Sequence, residues 1–363
     1  MRKILSIISL GILFNQSASA QSSVTVYGMI DSGISYISNE GGHATVKFAD
    51  GMFAPNLLGF QGIEDLGGGT KAIFKLEDQF QLGTGNILMP GIFGRNAYIG
   101  LEDARLGTLT FGNVYEFMFT ALTSAGNSPG LPTGGLHNFP AGPFQKLNLP
   151  GNPTGWFDWS NTSGTPVPNA VKYQSPKFAG LSVGALYSFG GVAGSFGSNS
   201  AESVGVNYDA GPFGISAAFT EHKYPGTVGG SPQISIRNWG LGAHYVIGPI
   251  LVTGNFVTVR NAFNGAYAYA GQLGGNWQIA PEWSFGANYI YMKGNEELDN
   301  NHAHQFGALL SYALSKRTIV YAECIYQRAN SGAHASINGI TDANGSSSTS
   351  NQAIARVGIH TLF

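Results

Sequence analysis

From Lys71 to Phe80 the chain alternates: Ala72, Phe74, Leu76 and Phe80 fall on one face of an extended segment, and Lys71, Lys75, Glu77 and Gln79 on the other. Asp78 is the one even position out of phase. The same period of two returns further on. Leu181, Val183, Ala185, Tyr187 and Phe189 oppose Ser182, Gly184 and Ser188. Tyr267, Tyr269, Leu273, Trp277 and Ile279 oppose Ala268, Ala270, Gln272, Asn276 and Gln278. Trp283, Phe285, Ala287, Tyr289 and Tyr291 oppose Ser284, Gly286 and Asn288. Such alternation predicts strands with one apolar and one polar face.

The punctuation between these runs is itself alternating. Short turns ("EDLGGGT", "AGPFG", "IGP", "IAPE", "SKRT") exchange with longer polar loops such as "GNEELDNNHA" and "INGITDANGSSSTSN". "GHATVKFADGMFAPN" and the Ser-rich run near residue 346 read as loops on the outside. Short turn, strand, long loop, strand is the rhythm of a transmembrane antiparallel β-barrel, whose outer face meets lipid. Aromatic residues near the ends of the runs, Tyr267, Trp277, Trp283, Tyr289 and Tyr291, match interfacial girdles. Closure is required, because an open sheet edge would leave backbone polar groups unpaired in hydrocarbon. Segments of roughly 9–12 residues, the length a tilted crossing needs, number about sixteen. A barrel of that size leaves an aqueous channel.

Composition sharpens this picture. The 363 residues include 53 Gly, and only 10% are charged, which suits turns and small-residue packing. Arg2 and Lys3, the run "ILSIISLGILF" and Ala18-Ser19-Ala20 read as an export signal over residues 1–20, with a barrel domain over 21–363. Cys324 is alone, so no disulfide forms within the chain. A net charge of −2 gives no reason to expect a nucleic-acid partner. Beyond the signal no apolar run reaches the length of a spanning helix.

Apparent catalytic and metal motifs take a structural reading. Gly180-Leu181-Ser182-Val183-Gly184 spells a nucleophile elbow, but its Ser lies in an alternating strand rather than a strand-to-helix turn, so no catalytic residue and no enzyme is predicted. His302 and His304 follow Glu296, Glu297 and Asp299 in what reads as a polar outer loop without a tetrahedral ligand set. No cofactor is called for. By strand phase Asp31, Lys75, Glu77, Lys172, Glu323 and Arg356 point into the lumen, where opposed charges set ion preference.

"SVTVYGMIDSGISY", "GFQGIEDLGGGTKAIFKLE", "GRNAYIGL", "NAVKYQSPKFAGLSVGALYSFG", "LSKRTIVYA" and the terminal "VGIHTLF" resemble the Gram-negative trimeric porins of the Neisseria and Burkholderia type, over essentially the whole mature chain. The resemblance implies a sixteen-stranded barrel, a homotrimer in the outer membrane, and passive diffusion of small hydrophilic solutes and ions. It also implies contact with lipopolysaccharide, and recognition of Phe363 by the barrel-assembly machinery. Such porins fold one long loop inward as a constriction. Residues 113–168 are the stretch long enough here, with "YEFMFTAL" as a short helix near its start. That stretch is poor in acid: Glu116, Lys146 and Asp158 are its charges, among many aromatics.

Against the family pattern, Leu57 and Asn113 stand where related sequences often carry Arg, and Gln61 where Lys is common, whereas Arg95, Lys75 and Lys172 are kept. Weak ion selectivity is therefore expected. The alternative is a substrate-selective porin for neutral sugars or ring-containing solutes, with Trp156 and Trp159 as contacts.

Overall fold

The computed structural model describes residues 23–225, 233–340 and 345–363. The export signal lies outside the described residues. The strands are β1 (Ser23–Glu40), β2 (His43–Asp50), β3 (Leu57–Gly67), β4 (Thr70–Gln79), β5 (Asn96–Asp103), β6 (Gly107–Tyr115), β7 (Pro166–Gln174), β8 (Leu181–Ser188), β9 (Ala201–Ala210), β10 (Phe213–Tyr224), β11 (Ile234–Ile247), β12 (Ile250–Asn261), β13 (Tyr267–Gln278), β14 (Trp283–Gly294), β15 (His302–Ala313), β16 (Thr318–Ala329) and β17 (Asn351–Leu362). Each pairs antiparallel with its neighbour in one continuous sheet.

Seventeen strands make sixteen staves. β2 pairs with the upper half of β1, from Glu40↔His43 to Ser32↔Asp50. β3 pairs with the lower half, from Met29↔Leu57 to Ser23↔Ile63. The two are halves of a single stave, interrupted where residues 51–56 turn inward. The expected loop "GHATVKFADGMFAPN" is thus corrected: Ala44, Val46 and Phe48 alternate with Thr45 and Lys47 and form a strand, and the loop is the two-residue turn before it.

Closure comes from the chain's two ends. β1 and β17 pair from Met29↔Leu362 to Ile37↔Ile354. Phe363 completes the seam: its N–H donates to Gly28 O at 3.1 Å, and Gly28 N–H to its carbonyl at 3.2 Å. The Phe363 ring lies over Gly28, where a Cβ would fall 2.2 Å from it, so a side chain at position 28 would displace the last residue.

The outward face follows the predicted phase. Leu181, Val183, Leu241, Phe256, Leu273, Phe285 and Leu310 are exposed in rows around the sheet. Tyr208, Tyr245, Trp277 and Trp283 occupy the short-turn end of that face, and Trp239, Phe306 and Tyr326 the long-loop end. Two aromatic girdles flanking an apolar band are what a lipid solvent selects.

The inward face departs from a uniformly wet wall. Val257, Val259, Ala268, Ala270, Ile290 and Met292, on β12 to β14, are completely buried because a segment of the chain packs on them. Phe80, expected on the greasy outer face, lies beyond the end of β4 and borders the lumen instead.

Candidate functional site

Residues 116–165, between β6 and β7, lie inside the barrel. A π-helical turn at Met118–Thr123 opens the segment. Glu116 caps it: one carboxylate oxygen accepts from Met118 N–H at 2.6 Å, the other from Phe119 N–H at 3.2 Å, and the Thr220 hydroxyl also donates to it. The Phe117 ring fits a slot that only glycine can leave. Gly184 and Gly205 are directly paired in register, and a Cβ on either would sit within 2.5 Å of that ring.

The rest of the segment is held by amide side chains of the inner wall. Asn238, Asn261, Asn276 and Gln305 donate to the carbonyls of Trp159, Leu147, Pro132 and His137 at 2.9, 3.0, 2.9 and 2.8 Å. Buried backbone carbonyls of an irregular segment need donors, and uncharged amides supply them without burying a charge. Phe144, Leu147 and Trp159 then pack on the apolar part of the wall.

Two further segments fold inward beside it. Residues 335–340, of which 337–340 were expected as part of an outer loop, bury Ala335, Ile337 and Ile340. Ile337 N–H donates to Gln352 Oε1 at 2.8 Å, and His137 Nδ1–H to Asn338 O at 2.7 Å. Burial pulls the His137 imidazole down to about 4, so the ring is neutral and donates from Nδ1 at neutral pH. From residues 51–56, Met52 O accepts from Leu136 N–H at 2.7 Å. Asp31 Oδ2 accepts from Met52 and Phe53 N–H at 2.8 and 3.0 Å, and Asp31 N–H donates to Asn56 Oδ1 at 2.7 Å.

Asp31 also pairs with Arg356 at 3.3 Å, both side chains fully buried. Tyr321 donates to Asp31 Oδ1 at 2.6 Å and accepts from Arg356 Nε at 2.9 Å. Arg356 makes further bonds to Ser35 Oγ and Ala49 O at 2.9 and 3.0 Å. Glu323, opposite Arg356 in register, is equally buried. These charges face inward but lie beneath the inserted segments.

What remains open is a cavity of about 1110 Å³ along the β1–β7 side. Its lining extends from Thr108 and Gln174, near the short turns, to Lys47 and Thr84, near the long loops. Four cations border it, Lys47, Lys75, Arg95 and Lys172, against two carboxylates, Asp50 and Glu77. Glu77 gathers its neighbours: Tyr27 donates at 2.7 Å and Asn96 at 3.0 Å, Lys75 lies at 3.0 Å and Arg95 at 3.5 Å. Lys172 donates to Tyr115 O at 2.7 Å and Thr120 Oγ1 at 3.1 Å, over the Phe117 ring. Lys47 is paired with Glu40 at 2.8 Å. The inserted segment contributes Phe119, Phe139, Trp156 and Phe157 to the same lining.

The expected site residues therefore separate into groups. Lys75, Glu77, Arg95, Lys172, Leu57 and Trp156 border the cavity. Glu116, Asp31 and Arg356 do not, being buried with partners. Asn113 is a correction: it opposes Ala97 where the β6–β7 register slips between Gly112 and Val114, and its side chain donates to Gly94 O at 2.7 Å rather than joining the cavity wall. Trp159 is another. At 1% exposure, edge-on to Phe144 at 5.9 Å, it is packing that no solute reaches.

His302 and His304 belong to β15 rather than a loop, and His304 Nδ1 contacts the Tyr289 hydroxyl at 2.6 Å. Among the described residues no three His, Cys, Asp or Glu side chains gather as metal ligands. The inner-wall amides and residues 335–340 were missed. The usable signal was Asn and Gln recurring at inward-phase positions of β11 to β15.

Glu116 carries a pH expectation. Burial pushes its carboxyl up to about 7, above the ordinary carboxylate value. A raised folded-state value means the folded segment holds the proton longer than the unfolded one. Stabilisation is therefore complete below the ordinary value and is lost as pH rises through about 7. Hydrogen exchange at Met118 and Phe119, corrected for intrinsic rates, should show stronger protection at acidic than at alkaline pH. Protection independent of pH would mean Glu116 stays ionised throughout.

The family model for Gram-negative porins matches residues 7–333. An outer membrane porin protein of Bordetella pertussis is 29% identical over 68% of this chain and 66% of its own length. Outer membrane porin protein 32 of Delftia acidovorans is 26% identical over 88% of each. Among solved structures, an anion-selective porin from Comamonas acidovorans superposes with a TM-score of 0.75 at 23% identity, covering 94% of this chain and 100% of that one.

Proposed function

The chain belongs to the Gram-negative porin family, a family of outer-membrane channels, and from that premise we propose that it admits small hydrophilic solutes and ions by passive diffusion, with a weak preference for anions. The observation that carries the preference is the cavity lining, four cations against two carboxylates. Lys47 pairs with Glu40, Lys75 and Arg95 share the single carboxylate of Glu77, and Lys172 bonds to uncharged oxygens, which leaves positive charge in excess. A small excess of positive charge in a narrow, partly desolvated passage attracts anions without excluding cations.

Residues 116–165 act as the constriction in this reading, because they fill the β8–β15 side and leave passage along β1–β7. The working unit is a homotrimer in contact with lipopolysaccharide, with Phe363 read by the barrel-assembly machinery. Recording in planar bilayers tests the proposal. Open steps that scale with salt, and a reversal potential displaced modestly toward anions in a KCl gradient, are expected. Absent conductance, or near-ideal selectivity of either sign, would sink it.

One observation favours a second reading, substrate selectivity for ring-containing neutral solutes. Trp156 and Phe157, 5.5 Å apart with their rings inclined at 63°, border the same cavity as the cations. Liposome swelling with competing solutes separates the two, since only a selective site saturates.

A further inference from the structure

Where residues 116–165 border the cavity, spare hydrogen-bond donors and aromatic rings share one wall. The Arg95 guanidinium is only partly used. Its Nη1 donates to Gln79 Oε1, and its Nε lies 3.5 Å from Glu77 Oε1 without a hydrogen bond. Its Nη2 makes no hydrogen bond among the described residues. Glu77 is engaged by Tyr27, Asn96 and Lys75 as well, so it neutralises Arg95 only in part. Lys172 has three N–H donors and uses two, on Tyr115 O and Thr120 Oγ1. The Tyr115 hydroxyl is buried without a hydrogen-bond partner among the described residues. Spare donors on two cations and a phenol suit an anion.

The rings begin at the same residues. The Arg95 guanidinium lies 5.4 Å from the centre of the Tyr115 ring, and the Tyr115 and Phe119 rings are 4.6 Å apart, tilted by 45°. Gly164 passes their edge, where a Cβ would fall 3.0 Å from Tyr115 and 3.1 Å from Phe119, so the bare glycine leaves these rings their space. Ser163 N–H donates to Asp158 Oδ2 at 2.6 Å, which sets Phe157 and Gly164 on either side of one hydrogen bond. Trp156 follows at 5.5 Å from Phe157. The acids of the inserted segment, Glu116 and Asp158, are buried with partners of their own and do not border the cavity. A carboxylate entering here meets cations and rings, with no acid of that segment facing it.

We propose that Arg95 and Lys172, with Tyr115, Phe119, Trp156 and Phe157, form a subsite for aromatic monocarboxylates, benzoate being the simplest probe. The proposal deepens the channel reading, on which it rests, by naming a substrate class. The carboxylate takes the free Arg95 Nη2–H, Lys172 adds its charge, and the ring lies against Phe119 and its neighbours. Each half alone fits worse. A neutral ring leaves the donors unpaired, which is costly where they are buried. An inorganic anion makes no use of the rings. An aliphatic acid forgoes the offset and edge-on contacts that pairs of aromatic rings gain.

Binding is measured at equilibrium on the purified full chain in detergent micelles, by saturation-transfer NMR, and permeation separately in planar bilayers. Benzoate should saturate the parent. Cyclohexanecarboxylate, benzamide and acetate should each bind at least about threefold to tenfold more weakly. Arg95→Gln should bring benzoate to the level of benzamide, and Phe119→Leu should bring it to the level of cyclohexanecarboxylate. Lys316→Gln/Arg317→Gln, at the short turn before β16 and outside the cavity lining, should leave binding as in the parent. If a variant fails to fold, the four ligands on the parent alone decide. Acetate equal to benzoate marks a response to charge alone, and benzamide equal to benzoate marks a neutral-ring site; either overturns the proposal, as does benzoate binding that survives both variants. Conductance without benzoate binding overturns the subsite and leaves the channel reading standing. Benzoate binding without conductance does the reverse.

Discussion

Arg356→Met is expected to destabilise the folded barrel by about 3–5 kcal/mol, the usual consequence of removing one partner from a buried ion pair. The substitution leaves Asp31 without its cation at a position closed to water. Asp31 would keep its bonds from Tyr321, Met52 and Phe53, but hydrogen bonds alone do not neutralise a buried carboxylate. The damage should be local at first. Asp31 anchors residues 51–56, Met52 anchors Leu136, and His137 anchors residues 335–340, so the lid over the β16–β1 side loosens before the sheet does. A paired variant, Asp31→Asn/Arg356→Met, should recover part of the loss, because it removes both buried charges while the amide oxygen of the new asparagine can still accept from Met52 or Tyr321. Urea unfolding of the two variants decides it. Equal stability of Arg356→Met and parent would mean that water reaches the pair.

Lys75→Gln/Arg95→Gln and Leu57→Arg are expected to move the reversal potential in opposite directions. The first leaves Lys47 and Lys172 against Asp50 and Glu77 along the cavity, an even balance, so the anion preference should vanish or invert. Glu77 retains its bonds from Tyr27 and Asn96 and stays in place. The second adds a cation beside Met29 and Gln79 on the same wall, where Leu57 is 4% exposed and borders the cavity, and should strengthen the anion preference. Both shifts should shrink as salt rises, since screening tightens from roughly 10 Å at 0.1 M to about 3 Å at 1 M. Shifts of the same sign, or none, would place these residues off the permeation path.

The sheet was legible because lipid enforces its pattern at every crossing: a one-residue slip would turn Leu181 and Val183 inward and Ser182 into hydrocarbon. The stave count followed from the same regularity. The broken second stave was not legible, because residues 51–56 leave the wall to meet Asp31, a partner twenty or more positions earlier. Nor was the inner wall's apolar half. Val257, Val259, Ile290 and Met292 are inward-facing yet dry, and alternation cannot say which residues of a distant segment will cover them. Asn113 was misplaced because a bulge shifts the phase that sequence counting assumes constant. Phase likewise brought Asp31 and Arg356 inside but could not tell a lumen-facing charge from one sealed beneath an insertion.

The seam between β1 and β17 has a kinetic consequence. Every other contact between neighbouring staves joins segments that follow one another along the chain, the longest connection being residues 116–165 between β6 and β7, and the cost of closing a loop grows only slowly with its length. The pairing of Met29 with Leu362 and of Gly28 with Phe363 joins the first stave to the last. Until Phe363 arrives, the first and last staves each expose an unpaired edge, a template for association with other chains. Contacts of such separation form slowly. The nearly complete sheet must therefore spend an interval as an open, adhesive ribbon, which ends when β17 pairs with β1.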